Sequence, residues 1–185
     1  MSNVAIYGGS FDPVHLGHVM VVTHLLLNDP DVDEVLIVPC FQQTGKRLTN
    51  FENRLDMCQL AFGWLPRVTV SSIEEYLGGE SVTSRLIQAL VIRNPNARYR
   101  FVMGADLMAH APMWEGWHII EDLAPPLVIG RAGIAPLGPG DPTPISPVVS
   151  SSIVREALHR QDYHAAERYL PREVTQYIKR HQLYL

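Results

Sequence analysis

Short apolar runs alternate along this chain with stretches in which apolar residues recur at helical spacing. Residues 4–7, 34–38, 68–71, 100–103 and 127–130 form runs of the kind seen in parallel strands buried on both faces. Between them, residues 16–27, 51–62 and 81–93 carry helical patterns, and 118–123 a shorter one. Such alternation predicts an α/β fold, an open parallel sheet with right-handed crossovers and helices on both faces.

Breaks between elements have local causes. Asn28-Asp29-Pro30 and Asn94-Pro95-Asn96 stop the first and third helices, and Gly78-Gly79 precedes a helix start near Ser81. Residues 133–147 hold five prolines and three glycines and are predicted to be a loop. Ser150-Ser151-Ser152 then supplies hydroxyl caps for a helix over 153–160. In the tail, Tyr169, Leu170, Val174, Tyr177 and Ile178 keep helical spacing around Pro171, which predicts two short closing helices. The expectation is one domain over residues 1–185, with a C-terminal helical tail from about residue 150.

Composition narrows the functional classes. At 185 residues, 46% hydrophobic and 18% charged, the chain has ordinary globular make-up. A net charge of −4 and a pI near 6.0 argue against a broad nucleic-acid surface, so an anionic substrate needs a local basic site. Cys40 and Cys58 fall outside any CxxC pattern and suit reduced thiols. With no basic leader and no apolar run of the ~18 residues a membrane span needs, the expected location is cytoplasmic, away from membranes.

The densest chemistry lies directly after the first strand, in Gly8-Gly9-Ser10-Phe11-Asp12-Pro13-Val14-His15-Leu16-Gly17-His18. A strand running through glycines into a helix exposes backbone N–H groups and the positive end of a helix dipole, which together suit a phosphate. Gly8 and Gly9 allow a sharp turn and close approach of a ligand, and the Ser10 hydroxyl can donate to an oxyanion. Phe11 is expected under the turn, Pro13 fixes φ, and Asp12 can hold the loop through backbone amides. On a helix beginning near Val14, His15 and His18 share one face, where they could donate to phosphate oxygens during phosphoryl or nucleotidyl transfer. Zinc binding is the other reading of paired histidines, but neither HExxH nor a Cys cluster accompanies them, and no protein metal site is predicted. In open α/β sheets ligands bind beyond the carboxyl ends of the strands, where Gly104-Ala105-Asp106 and the serine cluster converge with this loop.

With these motifs in order, the chain resembles the HxGH-type nucleotidyltransferases, and among them the nicotinate or nicotinamide mononucleotide adenylyltransferases. The likeness covers nearly the whole chain and implies a Rossmann-like sheet. Residues 8–18 match the first family motif, and Ser150-Ser151-Ser152-Ile153-Val154-Arg155 resembles the second. The segment from Phe101 to Asp106, followed by Pro112-Met113-Trp114, looks like the stretch in which an aspartate lies by the nucleotide and a tryptophan stacks on the pyridine.

The implied reaction is direct transfer of the adenylyl group of ATP to the 5′-phosphate of a pyridine mononucleotide in NAD biosynthesis, with Mg²⁺ accompanying ATP and pyrophosphate leaving. By the same resemblance His15, His18, Lys46 and Arg155 are the catalytic candidates. ATP would be held by Gly8, Gly9, Ser10, Phe11, His15 and His18, by Gly104, Asp106 and Arg131, and by Ser151, Ser152 and Arg155. Lys46, Thr83, Ser84 and Trp114 would bind the mononucleotide, with Arg85 assisting at a nicotinate carboxylate.

Plainer readings stand beside these. Lys46 and Arg47 also fit a solvated basic pair, Ser150 to Ser152 a simple helix cap, Arg54 either a family arginine or an exposed helix residue, and Trp114 a core position. Histidines 24, 110, 118, 159, 164 and 181 are read as structural or surface residues. Family members of the bacterial nicotinate type carry Pro-His-Lys and Ser-Tyr-Thr where this chain has Thr44-Gly45-Lys46 and Ser81-Val82-Thr83. These departures touch the acceptor end and leave the ATP end intact. The alternatives are an adenylyltransferase for another phosphate, such as phosphopantetheine, and a non-catalytic nucleotide-binding module.

Overall fold

The computed structural model describes residues 1–131, 144–146 and 149–185, with backbone alone at 131 and 144–146. Among the described residues six strands form one parallel sheet: β1 (Asn3–Gly9), β2 (Glu34–Pro39), β3 (Val68–Val70), β4 (Arg98–Gly104), β5 (Pro126–Arg131) and β6 (Pro144–Ser146). Their order is β3-β2-β1-β4-β5-β6, every neighbouring pair parallel. The chain thus winds outward from β1 in one direction and from β4 in the other. The expected Rossmann-like α/β sheet is the observed one.

Strand alternation divides the core into two layers. Ala5, Val35, Ile37, Val102 and Ile129 face one side, where α1 (Leu16–Asn28), α2 (Phe51–Phe62) and the closing helices α7 (Ser151–His159), α8 (Tyr163–Glu167) and α9 (Arg172–Arg180) pack. Val4, Ile6, Phe101 and Met103 face the other side, against α3 (Ile73–Leu77), α4 (Thr83–Arg93) and α6 (Trp117–Leu123). One residue step therefore moves a side chain from one helical layer to the other. A short helix α5 (Ala105–Met108) and a 3₁₀ turn (Ala111–Met113) complete the path from β4 to α6.

Differences from the expected elements are local. The first helix starts at Leu16 instead of Val14, because His15 keeps extended backbone (φ −140°, ψ 169°). Helix α4 starts at Thr83 because Val82 is likewise extended. Helix α3 and β6 were not expected. Pro144 lies within the stretch read as a loop, yet residues 144–146 pair with β5, in a sheet-edge position that tolerates proline. The rest of the Pro-rich stretch 133–147 lies outside the described residues. Two closing helices are found as expected, with α9 starting immediately after Pro171.

The sheet opens at its switch point. β1 pairs with β2 as far as Gly9↔Pro39, whereas its ladder with β4 ends at Ile6↔Phe101. Beyond Ile6 the two central strands part, and a crevice begins at their carboxyl ends.

Candidate functional site

Gly8 and Gly9 form the floor of that crevice through close packing. A Cβ on Gly8 would lie 3.4 Å from the Phe101 ring, and one on Gly9 3.3 Å from the Phe11 ring. Neither glycine has positive φ; the left-handed residue of the turn is Phe11, at φ +47°. The expectation that the glycines make the turn is thus corrected: they make room, and Phe11 makes the bend. A non-glycine residue in this region is disfavoured, and burial of its ring to 1% exposure holds it there. Phe11 meets the rings of Tyr7, His18 and Phe62, so its side chain is core, and this expected ATP-binding residue is not among those lining the crevice.

Asp12 holds the loop as foreseen. Buried to 2% exposure, its carboxylate accepts the Thr49 N–H at 3.1 Å and the Tyr184 hydroxyl at 2.6 Å. The next peptide bond, Asp12-Pro13, is cis. From α7, Arg155 donates to the Asp12 carbonyl at 2.5 Å and Ser151 to the Pro13 carbonyl at 2.8 Å. Ser150 caps α7 by accepting the Ile153 N–H. The second sequence motif is therefore fastened directly to the first.

His15 and His18 do not share a helix face. His15 precedes the helix as its cap residue and His18 is its third residue, yet their rings stack at 3.7 Å, 21° from parallel. His18 Nδ1 accepts the His15 backbone N–H at 3.1 Å. That bond leaves Nε2 as the proton-bearing nitrogen of a neutral His18 ring. Phe11 braces the same ring edge-on at 4.9 Å.

A cleft of about 500 Å³ opens above these residues. Its lining brings together Gly8, Gly9, Ser10, His15, His18 and Ser151 with Thr83 and Trp114, and with Gly104, Asp106 and Lys46. Trp114 is half-buried, edge-on to Phe101 at 6.2 Å and to Trp117 at 6.1 Å, and still lines the cleft, so it is not purely a core residue. Lys46 is exposed at the cleft wall, beyond a turn in which Gly45 has φ +73°.

Some expected site residues lie elsewhere. Ser84 is buried to 5% exposure beneath Gly116, where an added Cβ would come within 2.6 Å of the Ser84 Oγ; it sets the packing of α4 on α6 and does not line the cleft. Ser152 is exposed and accepts from Arg155, so it steadies that guanidinium outside the cleft wall. Arg155 itself points into the loop's backbone. Arg85 donates to the Gly78 and Glu80 carbonyls and is not turned toward the cleft. The Arg131 side chain lies outside the described residues. Histidines 110, 118, 159, 164 and 181 are exposed and His24 is half-buried on α1; none lines the cleft.

Two residues matter more than their sequence positions suggested. Arg54 is buried to 1% exposure and donates to the carbonyls of Ser10, Cys40, Thr49 and Phe41 at 2.7 to 3.1 Å. It ties the first motif to the segment after β2, and is no surface residue. Glu74, on the unexpected α3, is 3% exposed and lines the cleft, with Oε2 accepting the Ser81 hydroxyl at 2.6 Å. Ser81 Oγ accepts in turn from the Phe41 N–H at 2.8 Å. Burial pushes the Glu74 carboxyl above its ordinary value, with Ser81 and Arg85 acting against it. No group of three or more His, Cys, Asp or Glu side chains suited to a metal occurs among the described residues, and no described helix is long and apolar enough to cross a membrane.

The cytidylyltransferase-like family matches residues 6–157, which span both phosphate motifs. A protein of Anaeromyxobacter dehalogenans (strain 2CP-C), named probable nicotinate-nucleotide adenylyltransferase, is 35% identical over 185 residues, covering 98% of this chain and 96% of its own. The protein of the same name from Myxococcus xanthus (strain DK1622) is also 35% identical, over 98% of this chain and 94% of the relative. In fold, the chain resembles the Plasmodium falciparum nicotinic acid mononucleotide adenylyltransferase complexed with NaAD, with a TM-score of 0.85 at 23% identity, covering 100% of this chain and 98% of that one. The same parasite enzyme complexed with APC gives a TM-score of 0.82 at 22% identity, over 100% and 98% of the two chains. With both motifs joined at one cleft and near-full-length relatives above 30% identity, the chain belongs to the cytidylyltransferase-like family, among the nicotinate-nucleotide adenylyltransferases.

Proposed function

We propose that the protein transfers the adenylyl group of ATP to the 5′-phosphate of nicotinate mononucleotide, forming the dinucleotide and releasing pyrophosphate, a step of NAD biosynthesis. The observation that carries this reading is that one cleft is lined both by phosphate-binding candidates, Ser10, His15, His18 and Ser151, and by the aromatic face candidate Trp114. A phosphate oxygen of the mononucleotide attacks the α-phosphorus of ATP, the bond from that phosphorus to the bridging oxygen breaks, and pyrophosphate departs. Catalysis of this kind is positioning and charge stabilisation.

His18 Nε2–H donates to the α-phosphate as negative charge builds on it, while His15 and Ser10 hold phosphate oxygens. Lys46, in the lining of the same cleft, meets a phosphate as a point charge. Gly104 and Asp106 border the adenosine. Arg155 and Ser151 act on the loop itself, by fixing the carbonyls of Asp12 and Pro13. Mg²⁺ would neutralise charge on the phosphates of ATP, arriving with the nucleotide. The scarcity of carboxylates fits that role, since Glu74 and Asp106 are the acidic residues among the described cleft lining.

At the acceptor end, the first-turn N–H groups of α4, from Thr83 onward, have no intrahelical acceptor and carry the positive end of the helix dipole. They suit a nicotinate carboxylate, and the names of the relatives point the same way. Pyrophosphate release measured with ATP, Mg²⁺ and, in turn, nicotinate mononucleotide, nicotinamide mononucleotide and phosphopantetheine tests the reading. Turnover is expected to be fastest with nicotinate mononucleotide. Release with phosphopantetheine alone, or with none of the three, would overturn it.

A further inference from the structure

Asp12 gathers three distant parts of the chain onto the phosphate loop. Thr49 reaches its carboxylate from the segment before α2, Arg155 reaches its carbonyl from α7, and Tyr184 reaches its second carboxylate oxygen from beyond α9, 172 positions away. The route of that last segment is unusual. After α9 the backbone turns back through Gln182 (φ +50°) and Tyr184 (φ +64°), with the Leu183 N–H on the Ile178 carbonyl at 3.1 Å. Two non-glycine residues in left-handed conformation are disfavoured unless tertiary contacts over-determine them. Leu183 and Tyr184 pack on the core layer beneath α9, and the tyrosine hydroxyl ends on Asp12 at 2.6 Å.

We propose that Tyr184 is a positioning residue for the phosphate-binding loop, acting through Asp12 to hold Ser10, His15 and His18 in register with the ATP phosphates. This rests on the adenylyl-transfer reading above. Asp12 sits between Phe11, whose backbone bends the loop, and Pro13, two residues before His15. A shift at Asp12 therefore moves both ends of the phosphate site. Burial, followed by the neighbouring Asp12 charge, pushes the Tyr184 hydroxyl well above its ordinary value, so it keeps its proton and donates across the working pH range. No direct contact with substrate is assigned to it.

Tyr184→Phe keeps the ring and removes only the hydroxyl, which bonds Asp12 and also the Thr49 side chain, and a melting curve reports whether the variant is folded. Steady-state kinetics should show kcat lowered about tenfold and KM for ATP raised about fivefold, with KM for the mononucleotide within about twofold of wild type, since misplaced phosphate-binding groups act on one substrate. In an Asp12→Ala background the same change should have no further effect, because the link is already lost. Calorimetric titration with Mg-ATP gives a readout independent of turnover and should show the same loss of affinity. A Tyr184→Phe enzyme with wild-type kcat and ATP affinity, or one that loses as much in the Asp12→Ala background, overturns the role of Tyr184. A wild-type protein that binds Mg-ATP but releases no pyrophosphate with any pyridine mononucleotide condemns the adenylyl-transfer reading instead, and the ATP titration then still decides for or against Tyr184.

Discussion

The backbone N–H of His15 donates to Nδ1 of His18 at 3.1 Å, and this bond selects which nitrogen of the second histidine carries the proton. A neutral ring whose Nδ1 accepts is protonated at Nε2, so the donor is prepared before substrate arrives and needs no reorganisation during the reaction. His18→Ala removes that donor and should lower kcat by ~10²-fold or more with little change in melting temperature. His18→Asn is the sharper comparison, since a short amide can replace the Nδ1 acceptor but cannot extend to the Nε2 position. Equal, near-wild-type turnover in both variants would refute the assigned role.

Trp114 makes edge contacts with Phe101 and Trp117 yet lines the cleft. A ring braced in this way is a stiff platform for a flat heterocycle. Trp114→Ala should raise KM for the mononucleotide by about tenfold, corresponding to roughly 1.4 kcal/mol of lost stacking, and spare KM for ATP. Equal losses for both substrates would assign Trp114 to the core.

Arg54 illustrates where a sequence reading stops. It closes the polar run Glu52-Asn53-Arg54 at the start of α2, and its charge fits an exposed helix residue as well as a buried one. Its role is set by four carbonyls, at Ser10, Cys40, Phe41 and Thr49, which belong to loops whose paths depend on the whole sheet. Tyr184 is similar, because its partner lies 172 positions away. The five parallel strands and the longer helices were legible because their apolar spacing is a local property. Helix α3 has five residues and β6 three, too short for any period to show. The histidine motif was legible as chemistry, but the exchange of roles between Gly9 and Phe11 in its turn depends on a ring buried by distant residues.

From the same contacts follows a stability prediction. Arg54→Met fills similar volume but leaves those carbonyls without their donor in a buried setting, which costs about 3 kcal/mol or more. For a domain of this size that corresponds to a fall in melting temperature of roughly 6–12 °C. Arg54→Lys should recover little, since one ammonium group cannot reproduce the planar fork that spans several carbonyls. Calorimetric melting of both variants checks this, and wild-type stability in Arg54→Met would contradict it.

Glu74 makes stability depend on pH in a direction opposite to that of a salt-bridged acid. It is 3% exposed, its Oε2 takes the Ser81 hydroxyl, and burial raises its carboxyl above the ordinary value of 4.5 in spite of Ser81 and Arg85. The folded chain therefore holds this proton more tightly than the unfolded chain does. The stabilisation that follows is fully present below the unfolded-state value and is lost as pH rises through the raised folded value. Glu74→Gln keeps a carbonyl oxygen for Ser81 and has no charge to desolvate. Its melting temperature relative to wild type should therefore shift in the variant's favour as pH rises from about 4 to about 7, levelling once Glu74 is ionised. Paired melting curves across that range test the sign, and a difference that moves toward wild type with rising pH would show that the hydrogen bond and the Arg85 charge outweigh burial. Because Glu74 and Ser81 also hold the Phe41 N–H, the same variant reports whether the loop leading to Lys46 depends on the carboxylate's charge or only on its shape. An unchanged KM for the mononucleotide in Glu74→Gln would favour shape.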